Sequence, residues 1–353
     1  MAFTRNTHAK KGKVSAMLIL TLSLLFVFLA SWFLVGRFRL YALAQGLLDN
    51  PNARSSHTLA TPRGGGLVFI LLWLVAGVGS VFWGVWSFAH ALAFLPGALL
   101  LAAVGYWDDH HDLPARWRAL VHFGVASGSV VTLGLTDLPL GWLGAGLAVF
   151  AVVWSINLFN FMDGTDGIAG VEALFVLGAG GFFLWQAGGA ALAILAWVLA
   201  ATVAGFLLWN WPRAKIFMGD VGSSVLGFLI AVFALAGAVW FDVPVLLWVI
   251  LYGVFWFDAT VTLARRVMAG ERWYAAHRSH AYQRLHRPLG WSHERILWGV
   301  VMVNSALTGL ALWAHAMPEM QWVVLGVAVV LLCFIYGWVE RIAPMYAKNA
   351  APT

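Results

Sequence analysis

The chain has 353 residues, of which 62% are hydrophobic and only 10% charged, and its mean hydropathy is +0.84. A soluble globular domain is closer to half apolar, so this composition excludes that class and predicts an all-α polytopic membrane protein with the lipid bilayer as a partner. We expect no nucleic-acid partner. The single cysteine, Cys333, excludes an internal disulfide and a cysteine-built zinc site.

Windows of about 20 apolar residues predict about eleven transmembrane helices. They cover residues 14–36, 66–88, 89–106, 119–137, 141–157, 168–187, 189–209, 223–240, 244–263, 296–315 and 320–339. The first run is too long for the core of a typical signal peptide, so we expect it to be retained. We interpret residues 1–353 as one integral membrane domain, with a basic N-terminal tail (1–13), a long loop (264–295) and a C-terminal tail (340–353).

The basic residues indicate the topology. Every Lys and Arg beyond residue 13 lies in a segment that follows an odd-numbered span, or in the C-terminal tail. The positive-inside rule makes this side cytoplasmic, and the acid-rich motifs lie on the same side. The side of the N-terminus stays open, because an odd number of spans would place the basic tail outside, against the same rule.

Arg63 follows the first span and precedes three glycines, Gly64-Gly65-Gly66. These glycines do not form a P-loop, because no Gly-Lys-Ser/Thr follows them. They are compatible with close backbone packing at the membrane surface. Arg63 is a candidate phosphate contact.

Three carboxylates follow the third span, at Asp108, Asp109 and Asp112. Asp108 and Asp112 are four residues apart and would share one face of a helix. Crowded carboxylates raise one another's pKa or require a cation, so the group suits a general base or a metal site. A solvated loop at the membrane interface is an equally good interpretation of the composition.

The stretch after the fifth span is the most informative one. Asn157, Asn160, Asp163 and Asp166 follow one another at intervals of three residues, with Gly164 and Gly167 among them. On an ideal helix each step of three drifts by about 60°, so the four side chains cannot share one stripe. We therefore predict that the helix ends near Asp163 and that a tight, glycine-containing loop follows. Such a loop lets the backbone approach a phosphate or nucleotide closely.

Another polar segment follows the seventh span and contains Asn210, Phe217 and Asp220. A helix is predicted to begin near Gly222, and its N-terminus would favour an anion. Asp220 is a candidate N-cap residue or a metal ligand. Phe217 could stack on a base or simply pack.

The long loop after the ninth span carries the sequence His277-Arg278-Ser279-His280-Ala281-Tyr282-Gln283-Arg284-Leu285-His286-Arg287. This density of cations and histidines suits a pyrophosphate, and a patch for anionic lipids is the alternative. Two further acids, Glu172 and Asp258, lie within predicted spans. Intramembrane acids are functional or paired, and both interpretations stay open for these two.

Three function classes fit these patterns. A lipid-phosphate enzyme is favoured because the acids cluster on one side of the membrane. A membrane transporter would suit the many spans and the intramembrane acids. A lipid-linked phosphatase or pyrophosphatase could use the same metal chemistry.

The five polar segments, in this order from Ser56 to Arg287, resemble the polyprenyl-phosphate N-acetylhexosamine-1-phosphate transferase family, also called glycosyltransferase family 4. The segments 157–169 and 217–223 carry the most specific likeness. The acids at Asp108, Asp109 and Asp112 resemble the O-antigen branch. The loop sequence beginning at His277 is similar to the branch that transfers N-acetylfucosamine or N-acetylquinovosamine 1-phosphate.

The resemblance implies a reaction in which undecaprenyl phosphate attacks a UDP-HexNAc and UMP leaves. It implies dependence on Mg²⁺, with Mn²⁺ as a substitute, and a role in O-antigen or other cell-surface polysaccharide synthesis. The active site would face the cytoplasm from a bacterial inner membrane, and a homodimer is left open.

The resemblance also assigns candidate residues. Asp220 and Asn160 would bind the metal. The candidate catalytic residues are Asp108, Asp109, Asp163 and His280. The candidate substrate-binding residues are Asn157, Asn160, Asp166, Asn210, Phe217, Arg63, His277 and Arg278.

Overall fold

The computed structural model describes residues 2–49, 59–111, 113–137, 139–272 and 277–346, with side chains from residue 15 onward. Asp112, predicted to share a helix face with Asp108, lies outside these residues. The helices are α1 (Ala2–Ala44), α2 (Gly65–Phe82), α3 (Phe88–Ala91), α4 (Leu95–His111), α5 (Ala115–Thr132), α6 (Gly141–Met162), α7 (Ile168–Gln186), α8 (Ala190–Asn210), α9 (Gly219–Phe241), α10 (Val245–Leu251), α11 (Gly253–Met268), α12 (Ala281–His286), α13 (His293–Ala316) and α14 (Gln321–Ile342).

Short elements connect some of these helices. Two strands of two residues, β1 (Leu48–Asp49) and β2 (Thr61–Pro62), pair antiparallel. Single 3-10 turns occupy Leu135–Asp137 and Pro318–Met320. The fold of the described residues is therefore helical, and the predicted all-α polytopic class is confirmed.

The described part of the chain has nine helical segments long and apolar enough to cross a membrane, and a tenth if the bent pair α10–α11 counts as one span. About eleven spans were predicted. The difference is α5, which forms a helix where a span was expected but carries Arg116, Arg118 and His122. These polar residues lower its apolar character below that of the other spans.

Several predicted boundaries move in the structure. The predicted end of the third span at residue 106 is too early, because α4 continues to His111 and carries Asp108 and Asp109. The start of α9 at Gly219 places Asp220 in its first turn rather than before it. The predicted loop 264–295 contains the end of α11, all of α12 and the start of α13, and α14 extends into the predicted tail at residues 340–353.

Helix α9 lies at the centre of the bundle and is buried on nearly all of its faces, whereas α1 is largely exposed. Glycines let neighbouring helices approach its N-terminal end. A Cβ atom on Gly66 of α2 would collide with the backbone of Gly222, and one on Gly105 of α4 would lie 2.8 Å from the backbone of Val221. Small residues at helix contacts are the usual means of close packing in membranes. They bring the ends of α2 and α4 beside Asp220.

The ninth predicted span is broken, because α10 and α11 meet at an angle of 76°. Glu172 of α7 is fully buried beside this break. Asn304 Nδ2 of α13 donates to its Oε2 over 2.6 Å, and Oε1 has no hydrogen-bond partner among the described residues. Glu172 is thus paired with Asn304 inside the bundle.

Candidate active site

A pocket of about 330 Å³ opens at the end of the bundle where α4, α6 and α8 finish and α9 begins. Its walls combine acids, cations and exposed backbone. It is lined by Asp49, Arg63, Asp109, Asp163, Gly164, Thr165, Asp166, Asn210, Phe217, Met218, Gly219, Asp220, Arg278, Tyr282, Gln283, His286 and Arg287. Segments far apart in the sequence therefore converge on one cavity.

Asp109 and Asp220 face each other across the contact between α4 and α9. The backbone N–H of Asp220 donates to Asp109 Oδ1 over 3.4 Å. Asp109 Oδ2 is buried without a hydrogen-bond partner among the described residues. A Cβ atom at Gly219, where φ is +77°, would lie 2.7 Å from this oxygen. A glycine therefore keeps space beside an oxygen that can still accept a ligand.

The Asp220 carboxylate is held from two further sides. Asn160 Nδ2, near the end of α6, donates to Asp220 Oδ1 over 2.9 Å and also lies 3.1 Å from Ser223 Oγ. Arg118 Nη1 lies 3.6 Å from Asp220 Oδ2. These contacts orient the carboxylate without enclosing it.

The two neighbouring acids of α4 have different surroundings. Asp108 is not among the pocket-lining residues. Its Oδ1 accepts the backbone N–H of Leu113 over 2.6 Å and its Oδ2 pairs with Arg118 Nη1 over 2.8 Å. Asp108 thereby closes the turn into α5 and positions Arg118. Of this pair, only Asp109 lines the cavity.

The helix α6 ends at Met162, as predicted, and Asp163 follows in the acid loop, residues 163–167. The packed protein around Asp163 raises the pKa of its carboxyl well above the usual value, and the negative charges of Asp220, Asp109 and Asp166 raise it further. In the absence of a cation, these surroundings therefore disfavour ionisation of this carboxyl relative to water. Asn157, by contrast, donates to Val153 O of its own helix over 2.7 Å and is not among the pocket-lining residues.

Asp166 and Asn210 organise the neighbouring wall. Asn210 Oδ1 accepts the backbone N–H of Gly167, and its Nδ2 donates to Ile216 O, each over 2.9 Å. Asp166 Oδ2 accepts the backbone N–H of Ala214 over 3.0 Å and lies 3.1 Å from His293 Nδ1. Asn210 thus ties the acid loop to the segment before α9, and His293 fixes the Asp166 carboxylate.

The segment before α9 also binds the segment before α2. Phe217 N–H donates to Pro62 O over 2.8 Å, and Gly65 N–H donates to Phe217 O over 2.9 Å. This pairing places Phe217 and Arg63 in the pocket wall, where the Arg63 guanidinium donates to the backbone carbonyl of Asp109.

The histidine-rich loop turns other side chains toward the pocket than the sequence predicted. Arg278 lines the pocket, whereas His277 and His280 do not. His280 is buried, with Nδ1 3.6 Å from Asp258 Oδ1, because α12 begins at the next residue and turns this side chain toward α11. Burial lowers the pKa of His277 to about 4, as do the nearby His280 and Arg266. Both histidines therefore lie behind the pocket wall.

Comparison with known proteins identifies the group to which this chain belongs. Residues 91–238 match the model of the family described as Glycosyl transferase family 4. The chain is 31% identical to a probable undecaprenyl-phosphate N-acetylglucosaminyl 1-phosphate transferase of Bacillus subtilis, over 74% of this chain and 76% of the relative. The chain belongs to the polyprenyl-phosphate N-acetylhexosamine-1-phosphate transferase family.

Two further relatives extend the likeness over 91% of this chain. Both are named undecaprenyl-phosphate alpha-N-acetylglucosaminyl 1-phosphate transferase. The protein of Yersinia pestis is 30% identical over 92% of its own length, and that of Escherichia coli K12 is 28% identical over 91%. The part of this transferase that matches the family model includes the acid loop and the start of α9, but not Arg63 or α12.

The donor set around Asp220 is compatible with Mg²⁺. No group of three or more His, Cys, Asp or Glu side chains in the described ranges has a metal-binding arrangement. Mg²⁺ usually takes only one or two carboxylates and completes its shell with water and substrate phosphate. Asp220 and the unpartnered oxygen of Asp109 fit that requirement, and the Asn160 amide nitrogen donates to Asp220. Mn²⁺ accepts the same oxygen donors.

Several pocket residues of this transferase were not singled out from its sequence. They are Asp49, Tyr282, Gln283, His286 and Arg287, together with His293 behind Asp166. The density of basic residues in the loop indicated that some of them, such as His286 and Arg287, would bind an anion. The orientation of α12 determines which of these side chains face the pocket. Asp49 and His293 had no local signal, because they reach the site only through tertiary packing.

Proposed function

We propose that this protein transfers HexNAc-1-phosphate from a UDP-HexNAc to undecaprenyl phosphate and releases UMP, with Mg²⁺ as the cofactor. Family membership supports this assignment. The observation that carries it is the convergence of Asp109, Asp163 and Asp220 with Arg63 and Arg278 on one pocket at the end of the transmembrane bundle. A lipid-anchored phosphate and a soluble nucleotide can meet only at such a surface.

In the proposed reaction, a phosphate oxygen of undecaprenyl phosphate forms a bond to the β-phosphorus of the nucleotide sugar. The bond from that phosphorus to the bridging oxygen breaks, and UMP carries away the electron pair. Phosphoryl transfer depends chiefly on positioning and on neutralising charge. A bound divalent ion would supply most of that neutralisation at Asp109 and Asp220.

The remaining residues have roles that follow from their positions. Arg63 and Arg278 offer guanidinium groups to phosphate oxygens. Phe217 and Asp166 lie where a nucleobase could stack and donate a hydrogen bond.

We place the reaction at the cytoplasmic face of a bacterial inner membrane. The excess of Lys and Arg at the end of the bundle that bears the pocket supports this orientation. Cytoplasmic nucleotide sugars would then reach the site directly, and the lipid product would enter synthesis of O-antigen or another surface polysaccharide.

The identity of the transferred sugar can be determined with a panel of UDP-HexNAc donors. The names of the relatives favour UDP-N-acetylglucosamine, whereas the sequence of the histidine-rich loop favours UDP-N-acetylfucosamine or UDP-N-acetylquinovosamine. Purified protein is incubated with each donor, undecaprenyl phosphate and Mg²⁺, and the lipid is analysed by mass spectrometry. A sugar-diphosphate lipid together with UMP is the expected result. Release of inorganic phosphate without a lipid-linked sugar would contradict the transferase assignment.

The metal assignment has its own test. Asp220→Ala and chelation of divalent ions are each expected to abolish formation of the lipid product, and added Mg²⁺ should restore only the chelated wild type. Size-exclusion chromatography checks that the variant remains folded. Full activity of folded Asp220→Ala would rule out its role as a metal ligand.

A further inference from the structure

Helix α12 forms one wall of the pocket, yet it has only six residues. A helix of this length is unstable in isolation, because too few hydrogen bonds offset the cost of its first turn. Its position must therefore depend on contacts with the membrane-embedded helices. Two carboxylates outside the pocket, Asp258 and Glu340, make those contacts.

Asp258 of α11 holds the N-terminus of α12. The backbone N–H of Ala281 lies 3.0 Å from Asp258 Oδ1 and 2.9 Å from Oδ2. The carboxylate is buried, accepts a further hydrogen bond from Thr262 Oγ1 over 2.9 Å, and lies 3.6 Å from His280 Nδ1. A carboxylate at this position accepts a hydrogen bond from a backbone N–H that has no partner within the helix. Its negative charge also interacts favourably with the positive end of the helix dipole.

Glu340, in the last turns of α14, holds α12 through Arg284. Arg284 Nη1 donates to Glu340 Oε2 over 2.6 Å and to the backbone carbonyl of Ala343 over 2.7 Å. Arg265 of α11 also binds both Glu340 oxygens, over 2.5 and 2.8 Å. The Arg284 side chain is only 5% exposed, so its charge depends on this pairing.

The opposite side of α12 contacts the acid loop. Tyr282 Oη donates to Phe161 O over 3.3 Å, and a Cβ atom at Gly164 would collide with the same hydroxyl. Gln283, His286 and Arg287 of the same segment line the pocket. A shift of α12 would therefore alter the pocket wall and its contact with the residues beside Asp163.

We propose that Asp258 and Glu340 are positioning residues that together hold α12 against the acid loop, and so shape the part of the pocket that binds the nucleotide sugar. The ligand class, a UDP-sugar, rests on the proposed function. The positioning itself rests on the two sets of contacts alone. Neither carboxylate is among the residues lining the pocket, so neither is assigned a contact with substrate.

Glu340→Gln and Asp258→Asn test the proposal in the full-length protein, with Glu319→Gln as the matched control. Glu319 is exposed at the opposite end of α14. Three quantities are measured: hydrogen exchange of the amides of residues 281–287, the Kd of UMP, and KM separately for UDP-HexNAc and for undecaprenyl phosphate.

Both test variants are expected to exchange faster in α12 and to raise the Kd of UMP and KM for UDP-HexNAc about tenfold, with KM for undecaprenyl phosphate unchanged. Glu319→Gln should match the wild type. Unchanged exchange in α12, or an equal rise of KM for both substrates, would overturn the proposal. If Asp258→Asn does not fold, Thr262→Val replaces it, since valine keeps the shape of threonine but removes the hydroxyl that donates to Asp258 Oδ1. A wild type that turns over no UDP-HexNAc would refute the proposed function, while hydrogen exchange would still decide the positioning.

Discussion

The side-chain amide of Asn160 donates to the carboxylate of Asp220 over 2.9 Å, and this bond joins the end of α6 to the first turn of α9. The two residues are 60 positions apart in the sequence. The same amide nitrogen is 3.1 Å from Ser223 Oγ, one turn further along α9. Asn160 thus fixes the orientation of the carboxylate proposed to bind the metal.

Replacing Asn160 with leucine removes this donor at nearly constant volume. Because a hydrogen bond to a charged group contributes about 1.5–3 kcal/mol, we expect transfer activity to fall by roughly 10- to 100-fold, with a higher Mg²⁺ concentration needed for half-maximal rate. Steady-state assays over a Mg²⁺ series measure both. Asn157→Leu should have a much smaller effect, since the hydrogen bond that Asn157 makes in the described part of the chain is to Val153 O of its own helix. Equal losses in the two variants would argue against the orienting role of Asn160.

The raised pKa of Asp163 predicts a dependence of stability on pH. As the pH rises above 3.8, the unfolded carboxyl ionises while the folded one stays protonated, so this group's contribution to stability is fully present at low pH and is lost as the pH rises through the folded pKa. Asp163→Asn removes that loss. In chelator, the Tm of the variant should therefore rise relative to the Tm of the wild type as the pH increases above about 4.

Mg²⁺ favours the ionised form of neighbouring carboxylates, so adding it should narrow the difference in Tm between Asp163→Asn and the wild type. Asp137→Asn is the control, because that carboxyl is exposed at the opposite end of the bundle. A difference in Tm that is constant across the pH range would contradict the raised pKa.

Gly66→Ala should disturb the site through the backbone. The added methyl would collide with Gly222, and neither backbone can move without separating α2 from α9. Overpacking of this kind typically costs about 1–3 kcal/mol, so we expect a lower Tm together with a loss of activity. Gly326→Ala in α14 is the matched control, since its Cβ would meet no atom within 4 Å. Wild-type Tm and activity in Gly66→Ala would show that the helices tolerate the separation.

His293→Leu tests the wall around Asp166. Leucine has no nitrogen that could replace the 3.1 Å contact between His293 Nδ1 and Asp166 Oδ2. If Asp166 binds the nucleoside, KM for the UDP-sugar and the Kd of UMP should both rise, roughly tenfold, with a smaller change in kcat. His315→Gln is the control, since that ring packs on Phe183 far from the pocket. A fall in kcat alone would place His293 in a different role.

Cysteine labelling tests the orientation of the bundle. In a Cys333→Ala background, His110→Cys and Leu289→Cys introduce thiols at exposed positions near the pocket, and Ala187→Cys introduces one at the opposite end. We expect an impermeant maleimide to label the first two only from the cytoplasmic side and the third only from the outside. The reverse pattern would invert the proposed topology.

Much of the fold follows from the sequence because the bilayer imposes strong local constraints. Each predicted span coincides with a helix or a helix pair, since apolar segments in lipid must satisfy their own backbone hydrogen bonds. The end of α6 at Met162, next to the predicted end near Asp163, was also predictable, because Gly164 and Gly167 favour a tight loop directly after it. The start of α5 was not predicted, because Arg116 and Arg118 lie in its first turn and resemble a connecting segment in the sequence.

The residue types of the site, and the order of the segments that carry them, were determined by the sequence alone. Which side chains meet was decided only by tertiary structure. Glycine contacts around α9 bring Asp109 and Asp220 together, the pairing with Arg118 keeps Asp108 outside the cavity wall, and the turn of α12 buries His280 beside Asp258. Local sequence specifies periodicity and chemistry, whereas contacts between side chains of different helices depend on how closely the helices pack.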